Sequence, residues 1–388
     1  MENVWLTSAL WIGLALMASL VSIRVGISVS LLEIIIGAIS GNTVGLPITP
    51  WVTYLAGAGA ILLTFLAGAE IDPEVIRKNF WSSVTIGVMG FFVPFFGVLL
   101  YTRYLCGWSW PQAEIAGISL STTSVAVVYA VMIETGFSKT NMGKIILAAC
   151  FINDIGTVLA LGILFANYNI WLALFTAVTV LTLILLPKFV PWFFKRVGNR
   201  ISEPEIKFLL LVLFLLGGMG NMAKSEAVLP AYLVGMFLAP FFLKDKVLAQ
   251  RMRIIAFTIL TPFYFLKAGS LVKFETITAS IGLIVLLLGI KMATKFIGIW
   301  PLTKSFRFEK REGMYTTLMM CTGLTFGTIS ALFGLTNGII DQSKYTVLVT
   351  AVIGSAVVPT LIAQKWFQPE RKLVEEVVND VSENSTRP

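Results

Sequence analysis

Asp154 places a carboxylate near the middle of an apolar stretch that runs from about Ile145 to Ala166. A charge at the centre of a membrane helix costs roughly 2.5 to 3.5 kcal/mol on insertion scales. An acid at such a position predicts a functional site, and the chemistry open to a carboxylate there is the binding of a proton or a cation.

Two short polar runs interrupt other apolar stretches. Residues 119–124 read Ser-Leu-Ser-Thr-Thr-Ser, and residues 322–328 read Thr-Gly-Leu-Thr-Phe-Gly-Thr. Hydroxyls and glycines weaken a helix and can expose backbone carbonyls, which are good ligands for a bare cation. Each run lies in the middle member of a group of three spans, a pattern typical of an inverted-repeat transporter with its site at the midplane. Tight helix packing is the alternative explanation for either run taken alone.

The composition indicates a polytopic membrane protein. Hydrophobic residues make up 57% of the chain and charged residues 13%, against about 25% charged residues in soluble proteins. Three cysteines without paired spacing predict neither a disulfide framework nor a metal site. The chain contains no histidine and no Gly-x-Ser-x-Gly motif, so an intramembrane enzyme is disfavoured and no cofactor is predicted.

The elements that must position these residues are about thirteen transmembrane helices, since about 20 apolar residues span the hydrocarbon. The first span begins without a basic n-region and is expected to be a retained helix, not a signal peptide. The predicted spans are 4–22, 27–44, 50–69, 79–101, 112–134, 143–166, 169–187, 206–223, 227–243, 253–271, 276–300, 312–335 and 343–364.

The net charge of +8 comes from basic residues concentrated in alternate loops. This distribution predicts a multi-pass protein of the cell (inner) membrane, with the N-terminus outside and the C-terminus in the cytoplasm. It also favours the lipid bilayer over nucleic acid as the partner.

Several motifs resemble the monovalent cation:proton antiporter-2 family, which includes bacterial Na+/H+ and K+/H+ exchangers. The similarity covers nearly the whole chain and rests on order and spacing. Its elements are the Asn153-Asp154 pair, the Thr-Thr-Ser run at 122–124, Lys295, Glu33, the Gly-Ala-Glu-Ile-Asp sequence at 68–72 and the Pro-Phe-Tyr-Phe sequence at 262–265.

The resemblance implies an all-α inverted-repeat fold of the sodium/proton-antiporter type, with two crossed broken helices. Spans 1–3 (1–75) and 8–10 (191–273) would form a dimerising scaffold. Spans 4–6 (76–167) and 11–13 (274–366) would form a moving core. Span 7 (168–190) would link the two, and 367–388 would be a short cytoplasmic tail. It also implies a homodimer and an elevator-like motion.

By resemblance, Asp154 is the ion-binding aspartate, with Asn153, Thr122, Thr123 and Ser124 beside it. The physical reason is competition, because one carboxylate can hold either a proton or a desolvated Na+, Li+ or K+. Electrogenic relatives carry a second aspartate where this chain has Asn153. An amide cannot carry that second proton, so the resemblance favours electroneutral one-for-one exchange.

Lys295 resembles the core lysine of the family, which pairs with the first aspartate in two-aspartate members. That aspartate is absent here. Lys295 either pairs with Asp154 in the ion-free state or itself exchanges a proton, and the second case would leave the stoichiometry open. Lys291 lies one turn earlier on the same face and is a rival for the same role.

Two further residues are accessory candidates. Many relatives have Pro-Arg-Gly-Glu where residues 322–325 read Thr-Gly-Leu-Thr, so Thr325 would replace a buried acid as a neutral ligand. Glu33 is the remaining acid deep enough in a span to share an ion pathway.

The predicted function is a secondary antiporter that exchanges protons for Na+ or Li+ at Asp154. A K+/H+ antiporter is the neighbouring alternative. A cation channel or channel-like sensor is the alternative of another class, because broken helices with exposed carbonyls also build selectivity filters. Coupled proton movement distinguishes an antiporter from a channel.

Overall fold

The computed structural model describes residues 4–25, 28–69, 77–135, 137, 140–165, 170–198, 200–223 and 228–369. Within these ranges the regular structure is helical and contains no β-strand. Of the Gly-Ala-Glu-Ile-Asp motif, only Gly68 and Ala69 are described. Most of the predicted tail lies outside the described residues.

The first seven helices include the first of the two predicted interruptions. They are α1 (Val4–Val25), α2 (Val29–Thr43), α3 (Pro50–Ala69), α4 (Phe80–Tyr104), α5 (Trp110–Ser121), α6 (Val125–Thr135) and α7 (Asn141–Leu164).

The remaining helices include the second interruption and one π-helical segment. They are α8 (Ile170–Val197), α9 (Pro204–Met222), α10 (Val228–Lys244), α11 (Lys246–Ile255), the π-helix Ala256–Leu260, α12 (Thr261–Ser270), α13 (Phe274–Ser305), α14 (Lys310–Met320), α15 (Thr325–Thr336) and α16 (Gln342–Trp366).

Ten helical segments of the described chain are long and apolar enough to cross a membrane. Two of them are composite, Lys246–Ser270 with its π-helical segment and Lys310–Thr336 with its break. Val29–Thr43 and Leu229–Lys244 are shorter apolar helices, and α5 with α6 forms a further interrupted crossing. The prediction of an all-α polytopic fold with about thirteen spans is confirmed.

Local sequence fixes where the interrupted helices begin. A capping box precedes α5, in which Ser109 caps the helix and the Gln112 side chain accepts a hydrogen bond from the Ser109 backbone N–H. Glu309 and Glu312 form the corresponding box before α14. Such boxes satisfy backbone donors that a helix start leaves free. Both broken spans therefore begin with a capping box.

Two compact units make up the chain. Unit 1 comprises 1–73 and 158–273, and unit 2 comprises 74–157 and 274–388. In unit 1, α2 crosses α12 at Gly37 and Gly269, and α3 crosses α10 at Gly68 and Gly235, where an added Cβ would collide with the facing backbone. Small residues allow such close helix approaches in membranes.

Unit 2 contains both interrupted spans. Its α4 packs on α5 and α13, α13 packs on α16, and α5 packs on α15. All of the polar cluster described below lies in this unit. The roles of dimerising scaffold and moving core remain predictions.

Two helices extend beyond the predicted spans. The seventh span was expected at 169–187, but α8 continues to Val197 and contains Pro187 and Pro191. A proline in a membrane helix does not have to end it, because neighbouring groups can re-satisfy the freed carbonyls. The tenth span begins at Lys246 instead of 253 and includes the π-helical segment.

Candidate cation site

The first helix break comprises Thr122, Thr123 and Ser124, between α5 and α6. Thr122 adopts an extended conformation (φ −63°, ψ 153°), so the helical hydrogen bonds stop there. All three side chains are buried. Backbone groups freed inside a membrane need other partners.

Asn153 on α7 supplies partners on both sides of this break. Its Oδ1 accepts a hydrogen bond from the backbone N–H of Thr123 over 2.9 Å. Its Nδ2 donates to the carbonyl of Ser121 over 3.3 Å. An amide offers both an acceptor and a donor for this pair, whereas an ionised carboxylate is acceptor-only. Asn153 is thus committed to holding the break.

The second break, Cys321 to Leu324, meets the first one directly. The backbone N–H of Ser124 donates to the Thr322 carbonyl over 2.9 Å. The Thr123 hydroxyl donates to the Met320 carbonyl, also over 2.9 Å. These bonds join the start of α6 and the end of α14. The predicted crossing of two broken helices is confirmed.

Asp154 follows Asn153 on α7 and is 1% exposed. Its Oδ1 is buried and has no hydrogen-bond partner among the described residues. Buried polar atoms are nearly always hydrogen-bonded, and an exception in a native protein calls for an explanation. A carboxylate oxygen without a donor is suited to receive a proton or a small cation.

Lys295 and Lys291 are both fully buried on α13. Lys295 Nζ donates to Thr123 Oγ1 over 2.8 Å, and Lys291 Nζ donates to Ser355 Oγ over 2.8 Å. Within the described chain, neither lysine forms a salt bridge to Asp154. The structure therefore brings Lys295 to the first break and Lys291 to the second. Pairing of Lys295 with Asp154 stays a prediction for another state of the transport cycle.

The remaining predicted residues differ in how they relate to this cluster. The Thr122 hydroxyl donates to the Ser119 carbonyl over 3.1 Å, and Ser124 Oγ accepts from the Val127 N–H over 3.4 Å. Thr325 is buried and begins α15. Glu33 is buried on α2 in unit 1, and it is not part of the cluster of unit 2.

Sequence reasoning missed Ser355 and the Met320 carbonyl. A serine inside an apolar helix has no distinctive pattern, and every residue carries a carbonyl. The one available signal was a similar spacing: Ser355 lies 31 residues after Leu324, where the second break ends, and Asn153 lies 29 residues after Ser124, where the first break ends.

The cluster can hold a small hard cation. It offers the Asp154 carboxylate together with hydroxyls and carbonyls at the helix breaks, the ligand types that coordinate desolvated alkali ions in channels and transporters. No group of three or more His, Cys, Asp or Glu side chains in the described ranges could hold a metal ion. The arrangement suits a monovalent cation bound against one carboxylate.

Comparison with known proteins identifies relatives of the whole chain. Residues 12–368 match the family model described as sodium/hydrogen exchanger, transmembrane. A probable Na(+)/H(+) antiporter 3 from Methanocaldococcus jannaschii is 25% identical over 352 residues, covering 88% of this chain and 89% of the relative. The Na(+)/H(+)-K(+) antiporter GerN from Bacillus cereus is 25% identical over 342 residues, covering 86% and 88%.

A solved structure shares the fold. The sodium proton antiporter MjNhaP1 from Methanocaldococcus jannaschii superposes with a TM-score of 0.69 at 13% sequence identity, covering 93% of this chain and 98% of that one. These relatives are transporters, not enzymes.

Proposed function

Because this chain belongs to the sodium/hydrogen exchanger family of monovalent cation:proton antiporters, we propose that it exchanges protons for Na+ or Li+ by competition at Asp154. The cation and the proton each bind the same carboxylate, so neither can be carried while the other is bound. Because the carboxylate carries the cation and the proton alternately, the movements of the two in opposite directions are coupled.

The observation that carries this proposal is the unpartnered Oδ1 of Asp154. Asp154 is the one buried acid among the described residues of unit 2. An ionised carboxylate in that position costs several kcal/mol unless a positive charge compensates it. Either a bound proton or a bound cation removes that cost. The Asp154 carboxylate therefore favours carrying one of the two while the site moves across the membrane.

We extend the proposal to one-for-one, electroneutral exchange. The side chain next to Asp154 is the amide of Asn153, which hydrogen-bonds both sides of the first break and carries no exchangeable charge. Lys295 donates to Thr123, so in this arrangement its amine stabilises the contact between the two broken helices. One acid then carries one proton or one cation per cycle.

We also extend it to alternating access by motion of one unit against the other, in a homodimer of the cell membrane. The support for this step is the division of the chain into two compact units, with the whole polar cluster in unit 2. The N-terminus is proposed to lie outside and the C-terminus in the cytoplasm, as the positive-inside rule predicts.

The proposal is tested with purified protein in liposomes. An imposed Na+ gradient should drive proton movement in the opposite direction, and Asp154→Asn should abolish it. Glu205→Gln is the matched control, because Glu205 is a buried acid of unit 1; this variant should exchange at a rate close to the wild-type one. Exchange that persists in Asp154→Asn would contradict the assignment.

A K+/H+ antiporter is the second candidate, favoured by the relative described as a Na(+)/H(+)-K(+) antiporter. Gradients of Li+, Na+, K+ and Rb+ imposed in turn measure the preference. A sustained cation current without opposite proton movement would instead indicate a channel.

A further inference from the structure

The second helix break is occupied by a lysine side chain. Lys291 Nζ donates to Ser355 Oγ, and that hydroxyl donates its single proton to the Val352 carbonyl over 2.8 Å while lying 3.4 Å from the Gly323 carbonyl. A Cβ added to Gly323 would collide with Lys291 Nζ and approach Thr122 Oγ1 to 3.1 Å. The amine therefore lies against the backbone of the break, at the position where Gly323 has no side chain.

Ser355 is the counterpart of Asn153 in the second group of helices. Asn153 donates to the carbonyl of Ser121, and Ser355 Oγ lies 3.4 Å from the carbonyl of Gly323, each across a separation of 32 residues. Their helices have nearly equal lengths, 24 residues for α7 and 25 for α16. Each side chain thus lies against a backbone carbonyl at or next to the break of its own group.

The surroundings of Asn153 and Ser355 differ in the residue that follows each of them. Asn153 is followed by Asp154, whereas Ser355 is followed by Ala356, which is buried and apolar. The facing helices differ as well. In the first group α4 passes Asn153 at Gly90, whose added Cβ would lie 3.6 Å from Asn153 Nδ2. In the second group α13 passes Ser355 at Lys291.

We propose that the second crossing, meaning the space between Ser355 and the second helix break, is a degenerate counterpart of the cation site. In this space the Lys291 side chain fills the position that corresponds to that of the ion beside Asp154. Lys291 is then a specificity-determining residue, because it keeps each chain to one transported cation. This inference rests on the proposed function only in taking Asp154 as the transport site.

Oxygen ligands remain around the position that Lys291 fills. Ser355 Oγ, the Gly323 carbonyl and Thr122 Oγ1 all border it. Carbonyl and hydroxyl oxygens without a carboxylate are sufficient for monovalent cation sites in channel filters. Removal of the amine should therefore leave a polar space that water and a small cation can enter.

The first measurement uses the wild-type protein. Saturation binding of radioactive Na+ to the purified full chain should give one ion per chain. Two ions per chain would overturn the inference, because the second crossing would then hold an ion despite Lys291.

The second measurement removes the carboxylate of the transport site and then the amine of Lys291 from the second helix break. In Asp154→Asn, replacing N-methyl-D-glucamine chloride by NaCl at constant ionic strength should not shift the melting temperature. In Asp154→Asn with Lys291→Ala, NaCl should raise the melting temperature by about 2 °C or more, because an ion that binds the folded state stabilises it.

Two controls separate this effect from nonspecific ones. Lys291→Met in the Asp154→Asn background fills the space without an amine and should show no response to NaCl. Lys267→Ala in that background removes a buried lysine of unit 1 and should show none either. A folded Lys291→Ala variant without a NaCl response, or an equal response in Lys291→Met, would overturn the inference.

The two proposals fail in different ways. If Asp154→Asn alone still binds Na+, the transport site has been misassigned. The second crossing is then tested by whether Lys291→Ala adds a further bound ion to the Asp154→Asn protein, and no added ion would overturn it. If the Lys291→Ala variant does not fold, the ion count of the wild-type chain decides.

Discussion

Lys295 Nζ donates a hydrogen bond to Thr123 Oγ1 over 2.8 Å, and the same hydroxyl donates to the Met320 carbonyl. The Thr123 backbone N–H is bound by Asn153. One threonine therefore connects α13, α7 and the end of α14 at the point where the two broken helices cross. Asp154 lies beside this junction without being used to hold it.

Thr123→Val should lower the exchange rate by about 10-fold or more, equivalent to about 1.4 kcal/mol in transition-state free energy. The variant keeps the side-chain volume but removes the acceptor for Lys295 and the donor to Met320. Thr123→Ser should retain most of the activity because it keeps the hydroxyl. Exchange by reconstituted protein is the measurement.

Thr102→Val is the matched control for Thr123→Val. Thr102 is equally buried in unit 2, but its hydroxyl bonds only to carbonyls of its own helix. Its loss should leave exchange nearly unchanged. Equal rates for Thr123→Val and Thr102→Val would show that the junction at Thr123 is unimportant.

Asn153→Asp should destabilise the protein by about 1 to 3 kcal/mol, the usual cost of an unsatisfied buried polar group. An ionised carboxylate accepts from Thr123 but cannot donate to the Ser121 carbonyl. The melting temperature of the purified protein measures this loss. Asn337→Asp, at the exposed end of α15, is the control and should change it little. An Asn153→Asp protein as stable as the wild type would argue against the amide holding the break.

Gly323→Ala should be destabilising because its Cβ would collide with Lys291 Nζ. Lys291→Ala in the same chain should restore much of the loss, so the two changes should not be additive. Gly289→Ala on α13 is the control, because nothing lies within 4 Å of its added Cβ. That change should stabilise by about 0.4 to 1 kcal/mol. Additive losses for Gly323→Ala and Lys291→Ala in melting experiments would refute the contact.

Asp154→Asn should be at least as stable as the wild type when no alkali cation is present. The change replaces a buried carboxylate that has an unpartnered oxygen by a neutral group, and functional sites often reduce stability in this way. Melting in N-methyl-D-glucamine chloride tests it. A large drop in melting temperature would show that Asp154 is a structural acid.

The sequence alone predicted Asp154 and the Thr-Thr-Ser run because these polar residues in the middle of spans contradict their apolar surroundings. Lys295 was predicted from its resemblance to the family's core lysine, and the structure places all of them in one unit. The helix breaks are narrower than the polar runs: Ser119 and Ser121 remain in α5, and Thr325 begins α15. Hydroxyls can bond to their own helix and leave it intact, so a polar run does not fix the break.

The hydrogen-bond partners were not predictable in the same way. The spacing of Asn153 and Thr123 along the chain does not determine which amide atom faces which backbone group. Lys295 was expected either to pair with Asp154 or to exchange a proton itself, and its hydrogen bond to the Thr123 hydroxyl of the first break was not predicted. Lys291 and Ser355 meet only because α13 packs on α16. These contacts depend on tertiary packing, which local pattern does not specify.

Proton release on cation binding measures whether Na+ and a proton compete for the Asp154 carboxylate. Purified wild-type protein in weakly buffered detergent solution is mixed with NaCl, and a pH-sensitive dye and radioactive Na+ report the protons released and the ions bound. At a pH where the site is protonated, about one proton should be released for each Na+ bound, and Asp154→Asn should neither bind Na+ nor release protons. Na+ binding without proton release at every pH tested, or unchanged release in Asp154→Asn, would contradict competition at this carboxylate.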